Sequence, residues 1–246
     1  MIQVLIENSY KSWRETARKL LQAEVLPNDI VWVNDAQNGL FENFKFESKA
    51  KQIFKVPFEF PSLAETVACV DDAEKWSLLY RILWRLTNEN RHLLEIESDD
   101  DIRKARLYEK AIARDVHKFH AFVRFRKVEF EGIERFIAWH EPSHFVVERA
   151  TPFFVRRFGT MRFSILTPKN CAHWDLENLI FTEPITKENA PKSDALEDFW
   201  RTYYASTFNP NRLRVKAMKK EMPMKHWRNL PEAELISGLI RDAKKQ

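Results

Sequence analysis

Five of the seven histidines, His117, His120, His140, His144 and His173, fall between positions 117 and 173. Imidazole titrates near neutrality and binds metals when neutral, so such a group suits proton transfer or metal ligation. His117 and His120 stand three residues apart on an expected helix and therefore share a face. If the following hairpin and residues 172–175 fold back over that end, His173 and Asp175 join them. Three imidazoles and a carboxylate would satisfy a transition metal and leave a position for activating water. The spacing is no established metal signature, and Cys69 and Cys171 do not converge, so no cofactor is expected. If a metal is held at all, its ligands are His117, His120 and His173. The catalytic candidates are His117, His120 and Asp175. In a metal-free variant, His117 or His120 is a general acid/base beside Arg124, whose guanidinium can grip a phosphate through two N–H groups. His140 and His144 bracket a Glu-Pro turn and read as structural.

Cations are the second chemical signal. Residues 1–101 carry 12 Lys/Arg and 18 Asp/Glu, and residues 102–246 carry the remaining 28 and 18, so balances of −6 and +10 make up the net +4. Segment 102–128 has nine basic residues against Glu109 and Asp115, and segment 199–230 has eight against Glu221 alone. Clustered base is the electrostatic footprint of a polyanion partner, because each neutralised phosphate releases a counterion. The nucleic-acid-binding candidates are Arg114, Lys118, Arg124, Arg126, Arg156, Arg201, Arg212, Lys216, Lys219 and Lys220. A solvated helix face is the bland alternative for many of them. Trp174 and Trp227 are candidates for base stacking, although core packing is the commoner fate of tryptophan.

The elements that must position these groups follow from periodicity. Trp13, Ala17, Leu20 and Leu21 mark a helix capped by Ser9 or Ser12 and ended by Pro27, and Ile30–Val33 reads as a short buried strand. Residues 38–61 read as a surface connection. A helix follows from about Leu63, and another from Asp71 or Asp72 through Trp84. Ser98–Asp101 opens a long helix with carboxylates at its positive end. Its stripe is Ala105, Tyr108, Ile112, Val116 and Phe119. From Phe122 the period becomes two, and Glu131-Gly132 is expected to turn the chain into Ile133–Trp139. A helix (about 145–158), a strand (161–166) and two short strands flanking Asp175 come next. Helices are expected over 194–207, 212–220 and 231–242. The fold class is α+β: a helical N-terminal half, a central small antiparallel sheet and a helical C-terminus. An acidic region, 1–97, precedes a basic one, 98–246, either as two domains or as one continuous domain.

Several of these strings resemble a known family. They are His-Lys-Phe-His-Ala-Phe-Val-Arg-Phe-Arg (117–126), Glu-Pro-Ser-His (141–144) and Phe-Phe-Val-Arg-Arg-Phe (153–158). Ser-Ile-Leu-Thr-Pro-Lys (164–169), Ala-His-Trp-Asp (172–175) and Leu-Glu-Asp-Phe-Trp-Arg-Thr-Tyr-Tyr-Ala-Ser (196–206) continue the series. Phe-Asn-Pro-Asn-Arg-Leu (208–213) and Glu-Met-Pro-Met-Lys-His-Trp (221–227) follow, and Phe-Glu-Phe-Pro-Ser-Leu-Ala-Glu (58–65) and Ser-Leu-Leu-Tyr-Arg-Ile-Leu-Trp-Arg-Leu (77–86) extend the resemblance into the first hundred residues. Together the chain looks like a bacterial family of DNA-repair or DNA-metabolism proteins. That domain of unknown function also occurs fused behind uracil-DNA-glycosylase-like domains. The resemblance implies DNA as a partner and a radical-SAM DNA modification/repair protein as genomic company. No glycosylase catalytic motif is present, so a fused partner's chemistry does not transfer.

Composition excludes other classes. Four glycines, at 39, 132, 159 and 238, cannot build a Gly-rich phosphate loop. Two cysteines make no disulfide framework. No apolar run approaches the length of a membrane span, so a cytoplasmic protein without membrane contact is expected. The leading expectation is a DNA-binding accessory that holds DNA or docks it for a partner enzyme. A His/Asp-centred nucleic-acid-processing enzyme and a protein-interaction partner of the radical-SAM protein are the alternatives.

Overall fold

A computed structural model describes residues 1–33, 54–130, 133–187, 222–227, 229, 230, 233 and 235. The chain forms two compact units, Met1–Ala113 and Arg114–Gln246. Among the described residues six α-helices and seven strands make it α+β, with one sheet that is mostly antiparallel.

In the first unit, β1 (Ile2–Leu5) and β2 (Ile30–Val33) pair in parallel, with α1 (Tyr10–Gln22) as their crossover. Ser9 caps α1, its side chain accepting from the Ser12 N–H at 3.2 Å. The expected stripe of Trp13, Ala17, Leu20 and Leu21 is buried. The helix stops at Gln22, ahead of Pro27, because Glu24 turns left-handed with φ 55°. Helix α2 (Glu59–Ala68) begins earlier than its apolar period suggests. Pro61 sits in its first turn, where a missing N–H costs nothing. Helix α3 (Lys75–Asn88) buries Trp76, Leu79 and Tyr80. Trp76 stacks on Trp13 with ring centroids 6.3 Å apart, and the Tyr80 hydroxyl donates to Val25 O at 2.9 Å. Buried Lys75 satisfies its ammonium on Val70 O at 2.7 Å and lies 4.6 Å above the Trp76 ring centre.

Helix α4 (Asp100–Phe122) starts where the acidic run predicts. Asp99 Oδ1 accepts from the N–H groups of Asp101 and Ile102 at 3.1 and 3.2 Å, and the same carboxylate pairs with Arg85 at 2.6 and 3.1 Å. Arg81 holds Asp101 at 2.8 Å. The start of α4 is thus capped and tied to α3 by the same two aspartates.

In the second unit the sheet order is β3-β4-β5-β6-β7, for Phe125–Phe130, Ile133–Trp139, Phe163–Leu166, Cys171–Trp174 and Leu179–Thr182. All neighbours are antiparallel except β4 and β5, which are parallel and joined by α5 (Val147–Arg157). The sheet is thus mostly antiparallel, as expected, with one parallel seam between β4 and β5. A parallel pair needs a long crossover, and the expected helix at 145–158 supplies it. Phe154 of α5 lies within 6.0 Å, ring to ring, of Phe119, His120 and Phe125. The short helix α6 (Met224–Trp227) belongs to the same unit. The expected turn at Glu131-Gly132 and the helices at 194–207 and 212–220 lie outside the described residues, as does most of 231–242.

Candidate functional site

The histidines that sequence spacing groups together are held apart by separate partners. His120, near the end of α4, shares a hydrogen bond between Nε2 and Ala150 O at 3.0 Å and stacks on Phe153 at 4.3 Å. Its pKa is lowered chiefly by burial, and the neighbouring His117 and Arg156 add to the effect. His117 lies exposed one turn earlier. His173 is a cross-strand tie: Nδ1 contacts Ser164 Oγ at 2.8 Å on β5 and Nε2 contacts Thr182 Oγ1 at 2.9 Å on β7. Asp175 builds the β6–β7 turn, accepting from the N–H groups of Asn178 and Glu177 at 2.7 and 2.8 Å. Those hydrogen bonds, Asn178 first, hold its carboxyl below the usual range. Among the described residues no three His, Cys, Asp or Glu gather as a metal-ligand group. The expected convergence of His117, His120, His173 and Asp175 does not occur, because each is already engaged in local structure or left on the surface.

A different pair of imidazoles meets instead. His140, one residue past β4, and His226, on α6, are both 1% exposed and stack with centroids 5.3 Å apart and planes 2° from parallel. Phe119 meets His140 edge-on at 4.7 Å, and Phe122 stacks on His226 at 5.3 Å. His140 Nε2 and both ring nitrogens of His226 have no hydrogen-bond partner. Burial is the main reason both rings resist protonation, pushing His140 to about 3 and His226 to about 4. Lys225 adds to both, His226 adds to His140, and Lys118 adds to His226. The bland reading of His140 by its turn therefore understates it: the ring is in the core. No local pattern links positions 140 and 226: His226 stands in the resembling string 221–227, whereas His140 falls one residue ahead of the string 141–144.

The candidate cations divide by neighbourhood. In the first half of α4, Arg103 pairs with Asp100 at 2.7 Å, Lys104 with Glu74, and Arg106 with Glu109 at 3.1 Å. On β3, Lys127 pairs with Glu134. In the second unit, Arg114 is exposed on α4 and Lys118 half-buried a turn later. Arg156 is exposed in the last turn of α5, where a helix end favours a cation. Arg124 turns back onto its own helix: Nη1 donates to Ala121 O at 2.7 Å and to Val123 O at 3.3 Å. It acts there as a C-terminal cap, which explains its place just after α4. Arg126 is half-buried on β3, opposite Ile137. Lys225 donates to Ser143 Oγ. Arg201, Arg212, Lys216, Lys219 and Lys220 lie outside the described residues. The indole N–H groups of Trp174 and Trp227 are anchored to Gly159 O at 3.0 Å and Met222 O at 2.9 Å.

Residues 73–232 match the family described as domain of unknown function DUF4130. No curated protein and no solved structure matches the chain. No helix among the described residues is long and apolar enough to cross a membrane.

Proposed function

The chain belongs to DUF4130, a family defined as a domain of unknown function, and on that premise we propose that it is a cytoplasmic DNA-binding accessory of repair or modification. It grips phosphodiester backbones through its second unit. The observation that carries this reading is the crowding of cations against imidazoles. Lys118, Lys225 and Arg156, from three different helices, each disfavour protonation of a neighbouring ring. With His140 and His226 neutral, the positive field there comes from the lysines and the arginine alone, and a polyanion is drawn to it. Arg114 and Arg126 extend the footprint. The basic residues of 199–230 supply further charge on the same half of the chain. In keeping with the resemblance above, a radical-SAM DNA modification/repair protein is the enzyme for which such an accessory would dock DNA.

The test is fluorescence anisotropy with single- and double-stranded oligonucleotides across a salt series. Each phosphate contact adds about 0.9 to the slope of log affinity against log salt on duplex. The double variant Lys118→Glu/Arg156→Glu is therefore expected to flatten that slope by roughly 2. Absent or salt-insensitive binding overturns the proposal, and co-purification with the radical-SAM protein alone would favour the protein-interaction reading. The His/Asp enzyme reading is the weaker alternative, since among the described residues no three His, Cys, Asp or Glu gather as a metal-ligand group.

A further inference from the structure

A cavity of about 680 Å³ opens in the first unit between α1 and the residues leading into α2. Its apolar wall includes Tyr10, Phe54, Val56 and Leu83, and Trp13 forms part of its lining. The exposed cations Arg14, Arg18 and Lys19 stand along one side, with Glu15 among them. Arg14 and Arg18 are one helical turn apart and so face the same way. No carboxylate among the described residues forms an ion pair with Arg14, Arg18 or Lys19. The Trp13 ring is 1% exposed, stacked between Tyr10 at 6.1 Å and Trp76 at 6.3 Å, and its buried indole N–H has no acceptor.

We propose that this cavity binds a small anion of the nucleoside monophosphate class, planar only at its base. Its base would lie against the apolar wall, and its phosphate would rest on Arg14, Arg18 and Lys19. Three features select that chemistry. The volume suits a ligand of several hundred Å³, the usual range for small-molecule sites. Guanidinium groups one turn apart suit a phosphate's oxygens. The orphaned indole donor asks for an acceptor at the ligand's apolar end. A base offers ring nitrogens and carbonyls, whereas an acyl chain would leave the donor unsatisfied. The site is separate from the DNA-binding cations of the second unit and does not depend on them.

Isothermal titration of the whole chain with dAMP, inorganic phosphate and decanoate tests the proposal. Saturable binding of dAMP is expected, with inorganic phosphate and decanoate each at least tenfold weaker. Arg14→Glu/Arg18→Glu should weaken dAMP at least tenfold, while Lys118→Glu/Arg156→Glu should leave it unchanged. Trp13→Phe, which keeps the ring and removes the donor, should weaken dAMP several-fold. The exposed arginine pair keeps the test decisive if the tryptophan variant fails to fold. Absence of dAMP binding overturns the proposal, as does decanoate binding as tightly as dAMP. So does dAMP binding that survives the arginine reversal.

Discussion

Acid should loosen the second unit through His140 well before the carboxylates titrate. In the folded chain this ring protonates only at about 3, chiefly because it is buried against Phe119 and His226. In the unfolded chain it recovers the ordinary histidine value of about 6.5. The unfolded state therefore takes up a proton first. The contribution of the neutral ring is complete above the unfolded value and is lost as pH falls from there toward the folded one. At pH 5 the unfolded ring lies about 1.5 units above ambient, and at about 1.4 kcal/mol per unit the loss between pH 7 and pH 5 is about 2 kcal/mol. His226 acts in the same direction. His140→Phe keeps an aromatic ring on Phe119 and His226 but removes the titrating nitrogens. Urea unfolding of both proteins at pH 7 and pH 5 should show the variant losing about 2 kcal/mol less than the parent. The variant should also gain as much as ~1 kcal/mol at pH 7 from the removal of an unsatisfied buried nitrogen. Side-chain nitrogen shifts should report a neutral His140 ring at pH 5. Equal acid sensitivity in parent and variant, or a charged ring at pH 5, would refute the reasoning.

Two further perturbations follow from local geometry. Asp99→Ala removes the cap of α4 and the partner of Arg85 together, and should lower the urea unfolding free energy by about 2 kcal/mol. Asp99→Asn retains the cap and should cost about half as much, and equal losses would show that the cap is unimportant. Gly159→Ala would bring a Cβ to 2.9 Å from Val155 O, a backbone atom that cannot swing aside. A loss of roughly 1–2 kcal/mol is expected, and an unchanged urea midpoint would contradict the fit.

Much of this architecture is legible in the sequence because it is local. The α1 stripe, the aspartates opening α4 and the change of period after Phe122 each need only a few neighbouring residues, and each meets its structural counterpart. Strand β1 escaped because four residues offer little alternation, and its partner β2 lies 28 positions away in register. Asp115 looks like a surface acid within a basic helix, yet it is buried and accepts from the His144 N–H at 2.9 Å. The site was less legible for the same reason. Spacing along a helix shows that His117 and His120 share a face, but not which backbone oxygen or hydroxyl will claim His120 and His173. The His140–His226 contact joins residues 86 positions apart through the packing of Phe119 and Phe122.

The one parallel seam sets the order in which the five-stranded sheet can assemble. Strands β3 and β4 are separated by two residues, whereas 23 lie between β4 and β5. Closing the longer connection costs roughly 2 kcal/mol more chain entropy. The β3–β4 hairpin and the β5–β6–β7 meander are thus free to zip up as separate fragments, and α5 must fold back before they can join. That joining is expected to pace refolding of this half, with His140, on the connecting segment just past β4, enclosed late.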